Sequence, residues 1–331
     1  MVQLFDAILQ KNTSAKFDAG IAKIHDSQTF FDVIHFHWPE EIFDWKVPSD
    51  SQINSLSQLL ESRKKDGVRI ISTIHNEIPH GRDTTPFQQL YATVFSMTDT
   101  FIHLGESSRT IMEERYGNLI SKKENLIIRH GDYSIFPNSV SKNEARKTLN
   151  VPDGFKVVLS FGELRTIDEL NLLLDGFKGL AQSNVVLIHA GRLPATSRKS
   201  FIHYTKRLRF RSPRSQLREG RVEASEVQNF LNASDVLFIP RNCSLNSGNV
   251  ALGFTFGRVV AGPTTGVIGE YLMESGNPTF QPESIETVSR AIADGLILAQ
   301  GDKGKENREW CNRHMNWQTI ADQHLDAYRV R

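Results

Sequence analysis

Short runs of Val, Ile and Leu alternate along this chain with longer segments whose apolar residues recur every three or four positions. The runs 32–36, 68–74, 100–104, 125–129, 156–161, 184–190, 234–239 and 258–262 are dense in Val and Ile and bounded by turn residues. That pattern predicts strands buried on both faces. The intervening segments predict helices, with 51–65 and 168–182 as examples. In the second, Leu170, Leu173, Leu174 and Phe177 fall on one helical face. Strand–helix alternation predicts parallel sheets wrapped by helices. Residues 131–155 break the rhythm: Gly131, Pro137, Asn138, Pro152, Asp153 and Gly154 surround one short helical piece at 142–149. A domain boundary is expected there, with a doubly wound sheet in each half. In such sheets ligands gather at the carboxyl ends of the strands.

Composition narrows the class. The chain has 331 residues, 39% of them hydrophobic, enough for one large or two medium domains. A net charge of +1 gives no global pull toward nucleic acid. Cys243 and Cys311 show neither disulfide nor zinc-ligand spacing, so a reducing, cytosolic setting is expected. No apolar run approaches the roughly 20 residues needed to cross a bilayer. The start lacks the basic region and apolar core of a signal peptide. One local asymmetry stands out: residues 198–221 hold nine Lys or Arg and one acid, Glu219. The stretch suits a diphosphate or anionic lipid headgroups, or it is a solvated surface helix and loop.

Candidate chemistry lies at the predicted strand ends. Asn246-Ser247-Gly248-Asn249-Val250 reads as a loop opening onto a helix, where free N–H groups suit a phosphate. Gly248 would let backbone approach a ligand. His35 and His37 share a strand face and could bind a metal or line a cleft. His75 and Asn76 follow the second strand, where a histidine could take a proton, hydrogen-bond a substrate hydroxyl, or be satisfied by its own loop. His130-Gly131-Asp132-Tyr133 suggests a tight turn with polar flanks. Gly162 and Arg165 open the second half, with Arg165 placed for an anion or for solvent. Gly191-Arg192 ends the next strand in the same way.

Taken in order, these pieces resemble the GT-B glycosyltransferases, closest to the family-4-like bacterial enzymes that build capsule, exopolysaccharide and lipopolysaccharide. The likeness runs from about residue 30 to 328 and rests on the segments 32–40, 72–80, 129–133, 157–165, 233–272 and Trp317 to Tyr328. It implies an α/β fold of GT-B type, two Rossmann-like doubly wound domains facing a central cleft. The acceptor-side domain would span 1–140 and the donor domain 141–310, with a helix at 311–331 crossing back. It implies a metal-independent hexosyltransferase that needs no cofactor, its donor substrate a nucleotide diphosphate sugar and its acceptor a glycan or lipid-linked glycan. No Asp-x-Asp pair occurs in the chain. His75 would be catalytic. Gly162, Arg165, Ser247, Gly248, Asn249 and Val250 would hold the donor, and His37, Asn76 and His130 would line the acceptor side. The setting would be cytoplasmic, with peripheral membrane contact through 198–221 and no nucleic acid partner.

The chain also departs from that pattern. The Glu-x7-Glu pair of many relatives falls on Leu245 and Gly253 here, and their diphosphate-gripping Arg and Lys fall on Glu163 and Asp168. Arg165 would substitute, as in relatives with an arginine three places after the glycine. The family's opening strand is not evident, so the start is expected to be truncated or the acceptor side unusual. A second expectation follows, a catalytically degraded scaffold for another transferase. A third, resting on His35 and His37 alone, is a metal hydrolase.

Overall fold

The computed structural model describes residues 2–20, 22–26, 29–79, 83–194 and 201–329. The chain divides into two compact units, Met1–Gly131 with Trp317–Arg331, and Asp132–Asn316. All eight predicted apolar runs form strands, trimmed or shifted by a residue or two at their ends.

In the first unit, β1 (Val33–Phe36), β2 (Arg69–Ile74), β3 (Thr100–His103) and β4 (Glu124–Ile127) pair in parallel in the order β1-β2-β3-β4. The helix predicted at 51–65 runs Asp50–Lys65, started by a capping box in which Ser49 and Gln52 satisfy each other's backbone N–H groups. One face of the sheet offers Ile71 and Ile102, with Ile128 just past the end of β4. Leu4, Ala7 and Ile8 of the helix Val2–Lys11 cover it together with Ile320, Ala321 and Ala327 of the helix Trp317–Tyr328. The last helix of the chain therefore completes the core of the first unit. Gly131 is required here for a reason other than the expected turn. It has no positive φ, but a Cβ on it would lie 2.2 Å from Cζ2 of Trp317.

The second unit holds β5 (Lys156–Phe161), β6 (Val185–Gly191), β7 (Ser215–Glu219), β8 (Val236–Phe238), β9 (Val259–Pro263) and β10 (Thr279–Phe280). They form one parallel sheet in the order β10-β9-β8-β5-β6-β7. Strand order reverses between β5 and β8, the arrangement in which ligands bind at the carboxyl ends beside the reversal. The helix predicted at 168–182 runs Ile167–Lys178, ending at Gly179, and buries Leu170, Leu173, Leu174 and Phe177 as its periodicity requires.

β7 and β10 are not predicted by the sequence pattern, and both are edge strands. β7 is the polar sequence Ser-Gln-Leu-Arg-Glu, only partly buried, and β10 has two residues. An edge strand keeps one side toward solvent and lacks the continuous apolar signature. β7 also corrects the reading of the basic stretch as helix and loop: that stretch holds the helix Phe201–Leu208 and then a strand.

Candidate functional site

At the strand-order reversal, the chain leaving β5 passes Gly162 and reaches Arg165. The chain leaving β8 passes Ile239 and Pro240 and reaches Arg241. Between them the helix Ile167–Lys178 begins, capped by the Thr166 side chain, and turns Glu169 inward at 1% exposure. The Glu169 carboxylate accepts the Arg165 backbone N–H at 2.6 Å and Nη1 of Arg241 at 2.5 Å. Arg241 is itself 7% exposed. Nε of Arg241 and Nη1 of Arg165 are buried and have no hydrogen-bond partner among the described residues.

Burial lowers the Arg165 pKa to about 10. Arg241 repels it further, and Glu169 and Glu163 offset only part of this. Arg165 thus stays cationic at neutral pH. Two guanidinium groups beside one carboxylate leave net positive charge and unsatisfied donors in a desolvated place, which an anion would compensate. His189 lies nearby, bonded through Nδ1 to Oγ of Ser160, and burial lowers its pKa to about 4, so it is neutral there. Arg241 and Glu169 are not singled out by sequence reasoning. The only signal was an arginine directly after the Ile-Pro end of a strand.

The predicted loop adjoins β5. Its helix is Asn249–Thr255, capped by Gly248 at a helical φ of −61°. Nδ2 of Asn249 donates to the Phe161 carbonyl at 2.8 Å, tying the loop to the end of β5. The Asn249 N–H reaches Oγ of Ser247 at 3.3 Å, and the Val250 N–H reaches the Ser247 carbonyl at 3.4 Å. The Val250 side chain lies in the core. Asn249 and Val250 thus hold the loop's shape, with Ser247 and Gly248 in its turn.

A cavity of about 250 Å3 opens at the ends of β5, β6 and β7, lined by Gly162, Gly191, Gly220, Glu163, Arg192 and Arg221 among others. Gly162 and Gly220 have φ of +93° and +113°, which side-chain-bearing residues rarely adopt. A Cβ on Gly191 would lie 1.6 Å from the Gly162 carbonyl oxygen.

The first unit gathers histidines. His37 and His75 share a hydrogen bond of 2.8 Å between Nδ1 and Nε2, and Trp38 stacks on His75 with ring centroids 4.4 Å apart. His35 uses both ring nitrogens, on Oη of Tyr328 and Oγ1 of Thr73, each at 2.8 Å. His324 packs against His35. Nδ1 of His130 contacts the Gly131 carbonyl oxygen at 2.6 Å. His37, His75 and Asn76 line a cavity of about 10 Å3, room for a water-sized group. Burial lowers the His75 pKa to about 3, with His130 adding repulsion. Burial first and neighbouring histidines second hold His35 and His37 well below the usual histidine value. Neutral His75 suits hydrogen bonding to a hydroxyl better than proton abstraction near pH 7, where a conjugate acid of pKa 3 marks a weak base. The His35–His37 metal reading finds no support in this geometry. His35 is already doubly bonded, and no group of three or more His, Cys, Asp or Glu among the described residues could hold a metal ion.

No family model and no curated protein matches the sequence. Solved structures do match. Sucrose-phosphate synthase from Thermosynechococcus elongatus superimposes with a TM-score of 0.71 over 93% of this chain and 75% of its own, at 16% identity. Anabaena HepE, solved in complex with UDP-glucose, gives 0.67 over 89% and 78%, at 13% identity. The catalytic domain of starch synthase IV from Arabidopsis thaliana, bound to ADP and acarbose, gives 0.65 over 90% and 72%, at 14% identity. The chain has the GT-B fold.

Two features of this GT-B chain bear on the expectations above. The basic stretch spends much of its charge internally. Lys206 donates to the Pro194 carbonyl, Arg207 pairs with Glu219, Arg209 donates to Asn171, Arg214 to the Gln182 carbonyl, and Arg218 pairs with Glu226. Arg211 lies over the Tyr204 ring and Arg221 lines the larger cavity, while Arg198 and Lys199 lie outside the described residues. Among the described residues, no helix of the GT-B chain is long and apolar enough to cross a membrane. At the positions where the resembled family's glutamates would fall, Leu245 is 3% exposed, and a Cβ on Gly253 would lie 2.5 Å from Cγ2 of Val260. Gly253 has no room for a larger side chain as the unit is packed, and a carboxylate at Leu245 would be buried.

Proposed function

We propose that this protein is a glycosyltransferase. It would move a hexose from a nucleotide diphosphate sugar to a glycan or lipid-linked acceptor in cell-surface polysaccharide synthesis. The observation that carries this reading is the meeting of half-buried Arg165 and buried Arg241 around Glu169 at the strand-order reversal, each with a buried guanidinium N–H group that has no partner among the described residues. A diphosphate supplies the missing charge and acceptors. The glycine-lined cavity beside it would take the nucleoside, since Gly162 and Arg165 are three positions apart, at most about 10 Å of extended chain. The HepE structure was solved with UDP-glucose and shares the fold, which supports a donor of this class.

In the reaction, the bond from the sugar's anomeric carbon to the diphosphate oxygen breaks as a bond to the acceptor hydroxyl oxygen forms. The hydroxyl proton is lost to solvent or base. Negative charge grows on the leaving diphosphate, so Arg165, Arg241 and the Ser247–Gly248 backbone would bind the transition state more tightly than the ground state. Neutral His75, held by His37 and Trp38, would orient the acceptor hydroxyl or the sugar. No step requires a metal ion.

A second reading has its own support. Leu245 and Gly253 stand where the resembled family's two glutamates would fall, and the packing at Gly253 admits no larger side chain, which fits a GT-B protein that has lost turnover and scaffolds a partner enzyme. One experiment orders the two. Thermal unfolding of the full chain against nucleoside diphosphates and their sugars should show a selective rise, since a ligand at a hundredfold excess over its Kd adds about 2.7 kcal/mol. Absence of any shift from folded protein would remove the donor-site reading. A shift without sugar transfer to lipid-linked acceptors would favour the scaffold.

A further inference from the structure

The larger cavity carries charge that a diphosphate does not explain. Three charged side chains line it, Glu163 from the loop after β5, Arg192 after β6 and Arg221 after β7. All three are exposed, and none forms a salt bridge among the described residues. Gly162, Gly191 and Gly220 also line it, as do Phe161, Ala190 and Val222. A flat ring could lie against glycine backbone with its edge toward the charged groups.

We infer that this cavity selects guanine, so that the donor is a guanosine diphosphate sugar. The inference rests on the donor-site reading above and adds the base. Guanine alone among the common bases presents two adjacent donors, N1–H and the N2 amino group, and two adjacent acceptors, O6 and N7. A carboxylate takes the donor pair and a guanidinium fork takes the acceptor pair. Glu163 supplies the first and Arg192 with Arg221 the second. Uracil offers one N–H between two carbonyls, so the second carboxylate oxygen of Glu163 would face a carbonyl oxygen. Adenine sets an amino group beside N7, against the guanidinium N–H groups. Cytosine gives Glu163 one amino group and no neighbouring ring N–H. Glu163, a departure from the resembled pattern that would repel a diphosphate, gains a use at the base.

The test is calorimetric titration of the full chain with GDP, inosine diphosphate, UDP, ADP and CDP at one salt concentration. GDP should bind at least about tenfold more tightly than UDP, ADP or CDP. Inosine diphosphate, which lacks only the N2 amino group, should be several-fold weaker than GDP. Glu163→Gln should abolish the GDP–inosine diphosphate difference and leave UDP affinity within about twofold. Because Glu163 is exposed and outside the core, the variant should keep its unfolding midpoint. Preference for another base, equal binding of all five, or an unchanged GDP–inosine diphosphate ratio in Glu163→Gln would overturn the base assignment while leaving a nucleotide site. Failure of every diphosphate to bind would overturn both readings.

Discussion

Arg241 and Glu169 meet in a buried ion pair of 2.5 Å, with Arg241 7% and Glu169 1% exposed. Desolvating both groups is expensive, so the pair itself is weak evidence for stability. Its value is positional. Glu169 anchors the start of its helix through the Arg165 N–H and fixes Arg241 at the strand-order reversal.

Removing one partner should therefore be costly. Glu169→Ala leaves the Arg241 charge buried without a counter-charge and should destabilise the protein by about 3–5 kcal/mol. Urea unfolding checks this, and a loss below 1 kcal/mol would show that Arg241 reaches solvent.

Arg165 should behave oppositely. Burial and Arg241 both work against its charge in the unliganded protein. Arg165→Met should leave stability unchanged or raise it, while nucleoside diphosphate affinity falls by about tenfold or more, as for a lost charged hydrogen bond. Equal affinity in wild type and variant would take Arg165 out of the anion site.

Acid should weaken the protein through its histidines. His35, His37, His75 and His324 all have folded pKa values below the ordinary 6.5, with His75 at about 3. Above 6.5 both states are neutral and no penalty applies. Below it the unfolded chain takes up protons that the folded state refuses, so stability falls with pH. Each histidine contributes about 1.4 kcal/mol per pH unit until its folded pKa is reached, near 3 for His75. Urea midpoints between pH 7.5 and 5 should drop, with a shallower slope in His75→Asn. A flat profile in that window would contradict the burial of these rings.

Gly131→Ala should unseat Trp317, whose ring would lie 2.2 Å from the new Cβ. Overpacking of this kind costs about 1–3 kcal/mol. Hydrogen exchange should accelerate in the helix Trp317–Tyr328 before it does in β5 or β6. Uniform change across the chain would mean that the helix is not the element displaced.

Much of the fold was legible because doubly buried strands need apolar side chains on both faces, and runs such as Val157-Val158-Leu159 show this directly. β7 and β10 were not, since a sheet edge accepts polar residues. In the candidate site, Arg165 was visible as a lone cation after a glycine. Glu169 and Arg241 were not, because no local pattern distinguishes a first-turn acid or an arginine after a strand that will be buried from one that stays in solvent.

The chain by itself determined the alternation of strands and helices, the break near 131–155 and the histidines at the ends of β1 and β2, because local periodicity and turn chemistry are written in neighbouring residues. Only the tertiary structure decided that one carboxylate accepts both the Arg165 backbone N–H and the guanidinium of Arg241, far along the chain. It alone brought three separated glycines to one cavity and set His324 beside His35. Those relations depend on strand order and helix packing, which join residues by burial and charge across distances that no local pattern records.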